Sequence, residues 1–246
     1  MILEDCIKLL EGHIDKSPTI QRYCVGGRYS GVKLDGGAGI AYTPADVMAS
    51  FELDLDISGS DAMRIARWAL NNDILKRTIG IATINALSWT IISGSYHFHQ
   101  GDPLDQINIE DRVIAMVGYF PPLVSRFSPL AKEVRIIERG GIGVHQSKDA
   151  KDVMADAEIV IITGSALIYG GMEKYLECSK NADEVIVLGP TASMLPDPFF
   201  KRGATIVAGI QILNADTILD IISHSGGARD LGNSARKIYF MRALQK

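Results

Sequence analysis

The sequence lacks the residue patterns that identify several common protein classes. Its three cysteines, Cys6, Cys24 and Cys178, are far apart and form no CxxC pair, so neither a disulfide framework nor a zinc knuckle is predicted. Basic residues never run longer than a pair, and the 246 residues carry a net charge of −4. These features argue against a nucleic-acid-binding protein.

The sequence also predicts neither a secretory leader at its first residues nor a membrane-spanning helix. The first residues, MILEDC, are acidic where a leader is basic. Residues 78–96 carry no charge but contain Asn85, glycines and several hydroxyls, so we expect a buried helix there. We therefore expect a cytoplasmic protein that binds a small-molecule or metal-chelate ligand, without nucleic-acid or membrane partners. A homodimer is left open.

No familiar catalytic motif is present. The chain has no GxSxG elbow, HExxH, P-loop or cysteine–histidine neighbourhood. The first strand-to-helix turn reads Gly118-Tyr119-Phe120-Pro121-Pro122 rather than GxGxxG, and its two prolines remove backbone donors. Classical dinucleotide binding is therefore disfavoured, and whether the chain is an enzyme stays open.

The organisation of the chain changes near residue 105. Before it, the short runs IQRYCV, SGVKL and AGIAYT are joined by glycine turns, which predicts an antiparallel meander within an α+β domain. The polar segment 101–105 is typical of a linker. We therefore predict one α+β domain over residues 1–105 and one Rossmann-like α/β domain over residues 106–246.

The second domain contains five short apolar runs that predict buried parallel strands. They cover residues 113–117, 134–137, 159–162, 185–188 and 205–208. Glycine follows four of the runs, at Gly118, Gly164, Gly189 and Gly209. Because carboxyl ends of parallel strands share one rim, these turns predict a ligand crevice where backbone N–H groups are accessible.

Two turns of this crevice combine glycine with hydroxyl groups. The third turn reads Thr163-Gly164-Ser165, and the fourth reads Gly189-Pro190-Thr191. Such turns suit a phosphate, a carboxylate or another oxyanion. The alternative for the third turn is an ordinary helix cap formed by Thr163 and Ser165. We expect Gly118 and Tyr119 of the first turn to join the same ligand site.

Glu138 is the candidate catalytic residue. It follows the second strand about 20 residues after Gly118, where a dinucleotide-binding fold carries its ribose-binding acid. It would serve as a general acid or base if chemistry occurs. The alternative is a solvated carboxylate paired with Arg135 or Arg139.

Three further residues could bind a ligand. Asn85 lies in the apolar segment GIATINALS, where a buried amide needs hydrogen-bond partners; it either joins its helix to a neighbouring loop or faces the interdomain cleft. His97 and His99 alternate, so in an extended segment both imidazoles point the same way, as a metal-binding pair would. No third ligand is identifiable, and exposed histidines without a metal are the alternative.

A family resemblance covers almost the whole chain. It rests on five segments in order, GGRYSGVKL, GIATINALS, VIAMVGYFPPLV, ADAEIVIITGSALIYGG and LGPTASMLPDPFFKRGATIVAG. They resemble an uncharacterised prokaryotic family linked to heavy-metal chelation. The resemblance implies an enolase N-terminal-like domain, a Rossmann-like domain and a site in the cleft between them. The sequence departs from this family near Tyr169, where the resemblance implies an asparagine.

The leading interpretation is a protein that binds a small anionic ligand, or a divalent or heavy-metal ion through a chelating ligand, between two domains. The metal-ligating residues and the cofactor remain unknown at this point. The alternative is a cytoplasmic transferase or lyase that acts on a nucleotide-like or carboxylated metabolite, with Glu138 as acid or base.

Overall fold

A computed structural model of the chain describes residues 1–49, 56–138 and 150–243. The first part contains a small antiparallel sheet and four helices. In chain order these are α1 (Ile2–His13), β1 (Ile20–Val25), β2 (Tyr29–Leu34), β3 (Gly37–Tyr42), α2 (Ala45–Ala49), α3 (Ala62–Ala66) and α4 (Ile74–Ser95).

The second part alternates strands with short helices. The elements are β4 (His99–Gln100), β5 (Val113–Val117), α5 (Pro121–Phe127), β6 (Glu133–Ile137), α6 (Ala150–Met154), β7 (Ile159–Thr163), α7 (Met172–Cys178), β8 (Glu184–Leu188), α8 (Asp197–Phe200), β9 (Ile206–Ile212), α9 (Ala215–Ser223) and β10 (Ala235–Met241). Single turns of 3₁₀ helix follow β7 and β8, at Gly164–Leu167 and Pro190–Ala192.

The three-stranded sheet has the order β1-β2-β3, and both pairs are antiparallel. The turn between β2 and β3 consists of Asp35 and Gly36, and Gly36 has a φ of 78°, which glycine adopts without steric cost. The predicted meander is confirmed.

Helix α4 packs closely against this sheet. Gly39 of β3 makes the approach possible, because a Cβ atom there would lie 2.3 Å from the carbonyl oxygen of Ala82. Most of the middle of α4 is buried, as expected for a helix that is apolar all round. None of the helices in the described ranges is both long and apolar enough to cross a membrane.

The seven-stranded sheet has the order β4-β10-β9-β8-β7-β5-β6. Strands β5 to β9 pair in parallel, whereas β10 pairs antiparallel with β9 and with β4. All five residues of β5 are buried, because helices cover both faces of a parallel sheet. The predicted fold class, an α/β protein with a mostly parallel sheet beside a separate small antiparallel sheet, is confirmed.

The two parts of the chain share one apolar core. The largest cluster of buried side chains joins α1 and α4 to one face of the larger sheet, where Val160, Val187 and Phe240 lie. Strand β4, which precedes residue 105, pairs with β10 of the larger sheet. The domain boundary at residue 105 stays a prediction.

Candidate functional site

The strand order reverses at β5, one strand away from the β6 edge of the larger sheet. The chain passes from β5 outward to β6 on one side and then returns to β7 on the other side of β5. The loops that follow β5 and β7 therefore diverge from each other. In open α/β sheets, such a switch point opens a crevice beyond the carboxyl ends of the strands.

A cavity of about 650 Å³ occupies this position. Its lining comes from the loops after β5, β6, β7 and β8, together with Tyr175 of α7 and with Tyr29 and Tyr42 of the small sheet. Nine of the ten predicted site residues line it: Gly118, Tyr119, Glu138, Thr163, Gly164, Ser165, Gly189, Pro190 and Thr191. The structure thus brings these residues together, while their role as ligand contacts remains a prediction.

Two backbone N–H groups that the sequence predicted to face a ligand are engaged within the protein. Gly118 donates its N–H to the carbonyl of Ile137 at 2.9 Å, and Gly189 donates to that of Ala208 at 3.0 Å. The parallel ladder continues one residue beyond the strand ends at both places. Glycine is still required there, because Gly118 and Gly189 have φ angles of 97° and 126°.

Glu138 is exposed and its carboxylate is held at the cavity. One oxygen, Oε2, accepts the backbone N–H of Tyr119 at 2.6 Å, so the first turn binds a carboxylate of the protein itself. Arg135, one predicted partner, instead contacts Glu133 and Asp156; Arg139 lies outside the described residues. Glu138 is the single charged side chain among the described residues of the lining.

The hydroxyls of the third turn pair with each other. Thr163 Oγ1 lies 3.0 Å from Ser165 Oγ and accepts the N–H of Ser165 at 3.3 Å. Thr163 is thereby the cap of the 3₁₀ turn, as the alternative interpretation of the sequence predicted. Both hydroxyls nonetheless border the cavity, so a ligand oxygen can reach them from the open side.

The fourth turn is fixed by the first part of the chain. Thr191 is 2% exposed, and its Oγ1 accepts the backbone N–H of Tyr42 at 3.0 Å. Gly209, which the sequence placed on the rim, lies inside β9. A Cβ atom there would lie 2.5 Å from Ser193 Oγ, so Gly209 allows the fourth turn to pack on the sheet rather than exposing backbone to a ligand.

Asn85 is fully buried and lies behind the lining of the cavity. Its Nδ2 donates to the carbonyls of Ile40 at 2.8 Å and Thr191 at 3.1 Å. Its Oδ1 has no hydrogen-bond partner among the described residues. The amide therefore joins α4 to both the small sheet and the fourth turn, which is the helix-to-loop alternative predicted from the sequence.

Tyrosines are the residues that the sequence interpretation largely missed. The chain has eight tyrosines, and five of them line this cavity: Tyr29, Tyr42, Tyr119, Tyr169 and Tyr175. Burial raises the pKa of the Tyr29 hydroxyl, so this phenol is a hydrogen-bond donor at neutral pH. Only Tyr119 was predicted, because the others come from separate elements that no spacing rule connects.

The donor set of the cavity does not fit direct binding of a soft metal ion. Such ions prefer thiolate, thioether or imidazole ligands, and no cysteine or histidine occurs among the described lining residues. Across the part of the chain that the structure describes, no group of three or more histidine, cysteine or acidic side chains is placed to hold a metal. Burial raises the pKa of the Cys6 thiol, which keeps it protonated and unsuited to coordination.

Comparisons with known protein families match both parts of the chain. Residues 102–241 match the model of the family DUF364, described as putative heavy-metal chelation. Residues 7–88 match a second model, DUF4213, with the same description. An uncharacterised protein from Methanocaldococcus jannaschii is 29% identical over 180 residues, which are 69% of this chain and 67% of that protein.

Two solved structures of unknown function from the DUF364 family have a similar fold. The one from Pyrococcus horikoshii has a TM-score of 0.85 at 20% identity and covers 98% of this chain and 100% of its own. The one from Desulfitobacterium hafniense has a TM-score of 0.80 at 17% identity and covers 98% of this chain and 99% of its own. At these identities the likeness concerns the fold alone.

Proposed function

The chain belongs to the DUF364 family, described as putative heavy-metal chelation, and from that premise we propose that its cavity binds a small ligand rich in anionic oxygens. The ligand enters either free or as the chelator that already surrounds a metal ion. The cavity at the switch point of the sheet, lined by hydroxyl-bearing residues from both parts of the chain, is the observation that carries this proposal.

The hydrogen-bonding groups of the lining favour oxygen-rich ligands. Thr163, Ser165 and five tyrosines contribute hydroxyl-bearing side chains to the lining, and a hydroxyl group can donate to a phosphate or carboxylate oxygen. A volume of about 650 Å³ falls in the range of small-molecule pockets. The tyrosine rings add apolar surface at the same place, as ligand pockets commonly do.

The charge of the lining favours a chelate over a free polyanion. Glu138 is the one charged side chain that the described lining contributes, so this part of the lining offers a bare anion no cationic side chain. A metal ion inside a chelate supplies that positive charge itself. The chelator's own oxygens then hold the metal, which agrees with the lack of thiolate and imidazole ligands on the described part of the lining.

Native mass spectrometry of protein purified without chelators tests the proposal, because a retained ligand is weighed directly. Calorimetric titration with inorganic phosphate, citrate and zinc citrate then gives affinities. We expect Ser165→Ala to weaken binding of the best probe, while Ser58→Ala, an exposed serine outside the cavity, leaves it unchanged. No retained ligand and no binding of any probe would contradict the proposal.

A second candidate function is a transferase or lyase activity on a nucleotide-like or carboxylated metabolite. The observation that favours it is the exposed Glu138 carboxylate, oriented at the cavity by the Tyr119 N–H. A positioned carboxylate of this kind can accept or donate a proton. If a copurified ligand is identified, its turnover by the wild-type chain but not by Glu138→Gln separates an enzyme from a binding protein.

A further inference from the structure

Two histidines outside the cavity lie side by side at the edge of the larger sheet. His99 belongs to the edge strand β4, and His97 precedes it by two residues. Their ring centroids are 5.0 Å apart and their planes differ by 82°. Both residues are exposed, and strands β10 and β9 separate β4 from β8, the nearest cavity-lining strand in the sheet order.

The residue between the histidines holds them in place. Phe98 packs edge-on against Trp89 at 5.6 Å and against Phe240 at 6.1 Å. Because successive residues of an extended segment point to opposite sides, this anchor directs His97 and His99 to the same open side. The packing of Phe98 thus favours the side-by-side placement of the two rings before an ion binds.

A second contact fixes the ring of His99. It lies directly across from Tyr239 in the strand pairing, and the two rings stack at 5.0 Å with an angle of 20°. The Tyr239 hydroxyl in turn accepts a hydrogen bond from Gln106 Nε2. One imidazole is thus already oriented, which reduces the entropy lost on binding an ion.

The distance between the rings fits a shared metal ion. A zinc ion binds imidazole nitrogen at about 2.0–2.1 Å, and two imidazoles at about 90–110° around one ion have centroids about 4.5–5.2 Å apart. The observed 5.0 Å lies in this interval. Lys237 of the adjacent strand is paired with Asp102 at 2.8 Å, so its charge is offset.

We propose that His97 and His99 form a two-histidine site for a divalent ion of the zinc, nickel or copper group, the ions that imidazole suits. Water or an oxygen ligand fills the other coordination positions. The site does not depend on the cavity or on its ligand, and it supplies the nitrogen ligands that the described cavity lining lacks.

Calorimetric titration of the full-length, tag-free chain with nickel chloride and zinc chloride tests this site. We expect one ion per chain, and we expect His97→Ala and His99→Ala each to weaken binding at least about tenfold, since each removes one of two protein ligands. Both residues are exposed, so circular dichroism should remain that of the wild type.

Control variants separate this site from other histidines and from the cavity. His13→Ala and His224→Ala, both at exposed helix ends, should bind nickel as the wild type does, and so should Ser165→Ala. Equal affinity of the wild type and the double variant of His97 and His99 would overturn the proposal. Loss of the same affinity in His13→Ala or His224→Ala would overturn it as well.

Discussion

The side-chain amide of Asn85 donates a hydrogen bond of 3.1 Å to the backbone carbonyl of Thr191. Thr191 lines the cavity, whereas Asn85 lies in the middle of α4 and also binds the carbonyl of Ile40 in the small sheet. One buried amide therefore couples the cavity wall to the first part of the chain. The position of the fourth turn depends on contacts that the larger sheet alone does not provide.

Asn85→Asp should destabilise the fold strongly. The variant keeps the shape but replaces the donor by an acceptor that faces carbonyl oxygens, and it buries an uncompensated charge. We expect the free energy of unfolding to fall by at least about 3 kcal/mol, measured by urea denaturation. The control is Thr83→Val in the same helix, whose hydroxyl donates to the Ile79 carbonyl of that helix and whose loss should cost about 1 kcal/mol. Equal effects of both variants would contradict this role.

Gly164→Ala should lower stability by forcing the third and fourth turns apart. A Cβ atom at Gly164 would lie 2.9 Å from the backbone nitrogen of Ala192, and such overpacking costs about 1–3 kcal/mol. Gly94→Ala is the matched control, because it lies in α4 with no atom within 4 Å of the added Cβ. That variant should gain up to about 1 kcal/mol from helix propensity. Thermal unfolding measures both, and a stabilised Gly164→Ala would show that the turns are not in contact.

Glu138→Gln should distinguish a free anion from a metal chelate. The amide oxygen can still accept the Tyr119 N–H, so the change removes mainly the charge. Removing about 1 kcal/mol of repulsion should tighten phosphate or citrate binding about fivefold, whereas zinc citrate should bind more weakly. Calorimetry measures both affinities, with the exposed Glu110→Gln as control. Unchanged affinities for every probe that the wild type binds would place Glu138 outside the ligand's reach.

The ion pair between Asp5 of α1 and Arg202 should contribute to stability only above acidic pH. Arg202 Nη2 lies 2.8 Å from Asp5 Oδ2, and this hydrogen bond lowers the pKa of Asp5 below its usual value of 3.8. The unfolded chain therefore binds the proton more tightly. The stabilisation is complete above the unfolded pKa and is lost as the pH falls through the lower, folded pKa.

Asp5→Asn should accordingly cost about 0.5–1 kcal/mol at pH 7 and progressively less below about pH 4. Urea denaturation at pH 7 and pH 3 measures the difference, and Asp15→Asn, an exposed carboxylate, controls for net charge. The same loss at both pH values would show that the pair does not stabilise the folded state.

The local pattern of the sequence was sufficient to predict most of the strands that position the cavity. Short apolar runs followed by glycine predicted β5, β7 and β8, and the glycine turns between the first three short runs predicted the small antiparallel sheet. The antiparallel strand β10 was not predicted, although Ile238, Tyr239 and Phe240 form a short apolar run, because its pairing with β9 and β4 depends on the tertiary structure. Because the carboxyl ends of parallel strands meet at one rim, the sequence alone predicts that the turns carrying Gly118, Thr163 and Gly189 lie together.

What the sequence by itself determined is therefore the fold class and the rim that carries the candidate site, since both depend on period, spacing and strand direction. Only the tertiary structure decided which groups at that rim are accessible. The N–H groups of Gly118 and Gly189 donate hydrogen bonds within the sheet, and Tyr29 and Tyr42 of the first part of the chain complete the lining of the cavity. Hydrogen-bond partners and packed side chains distant in sequence are selected by global packing, and no local pattern encodes that selection.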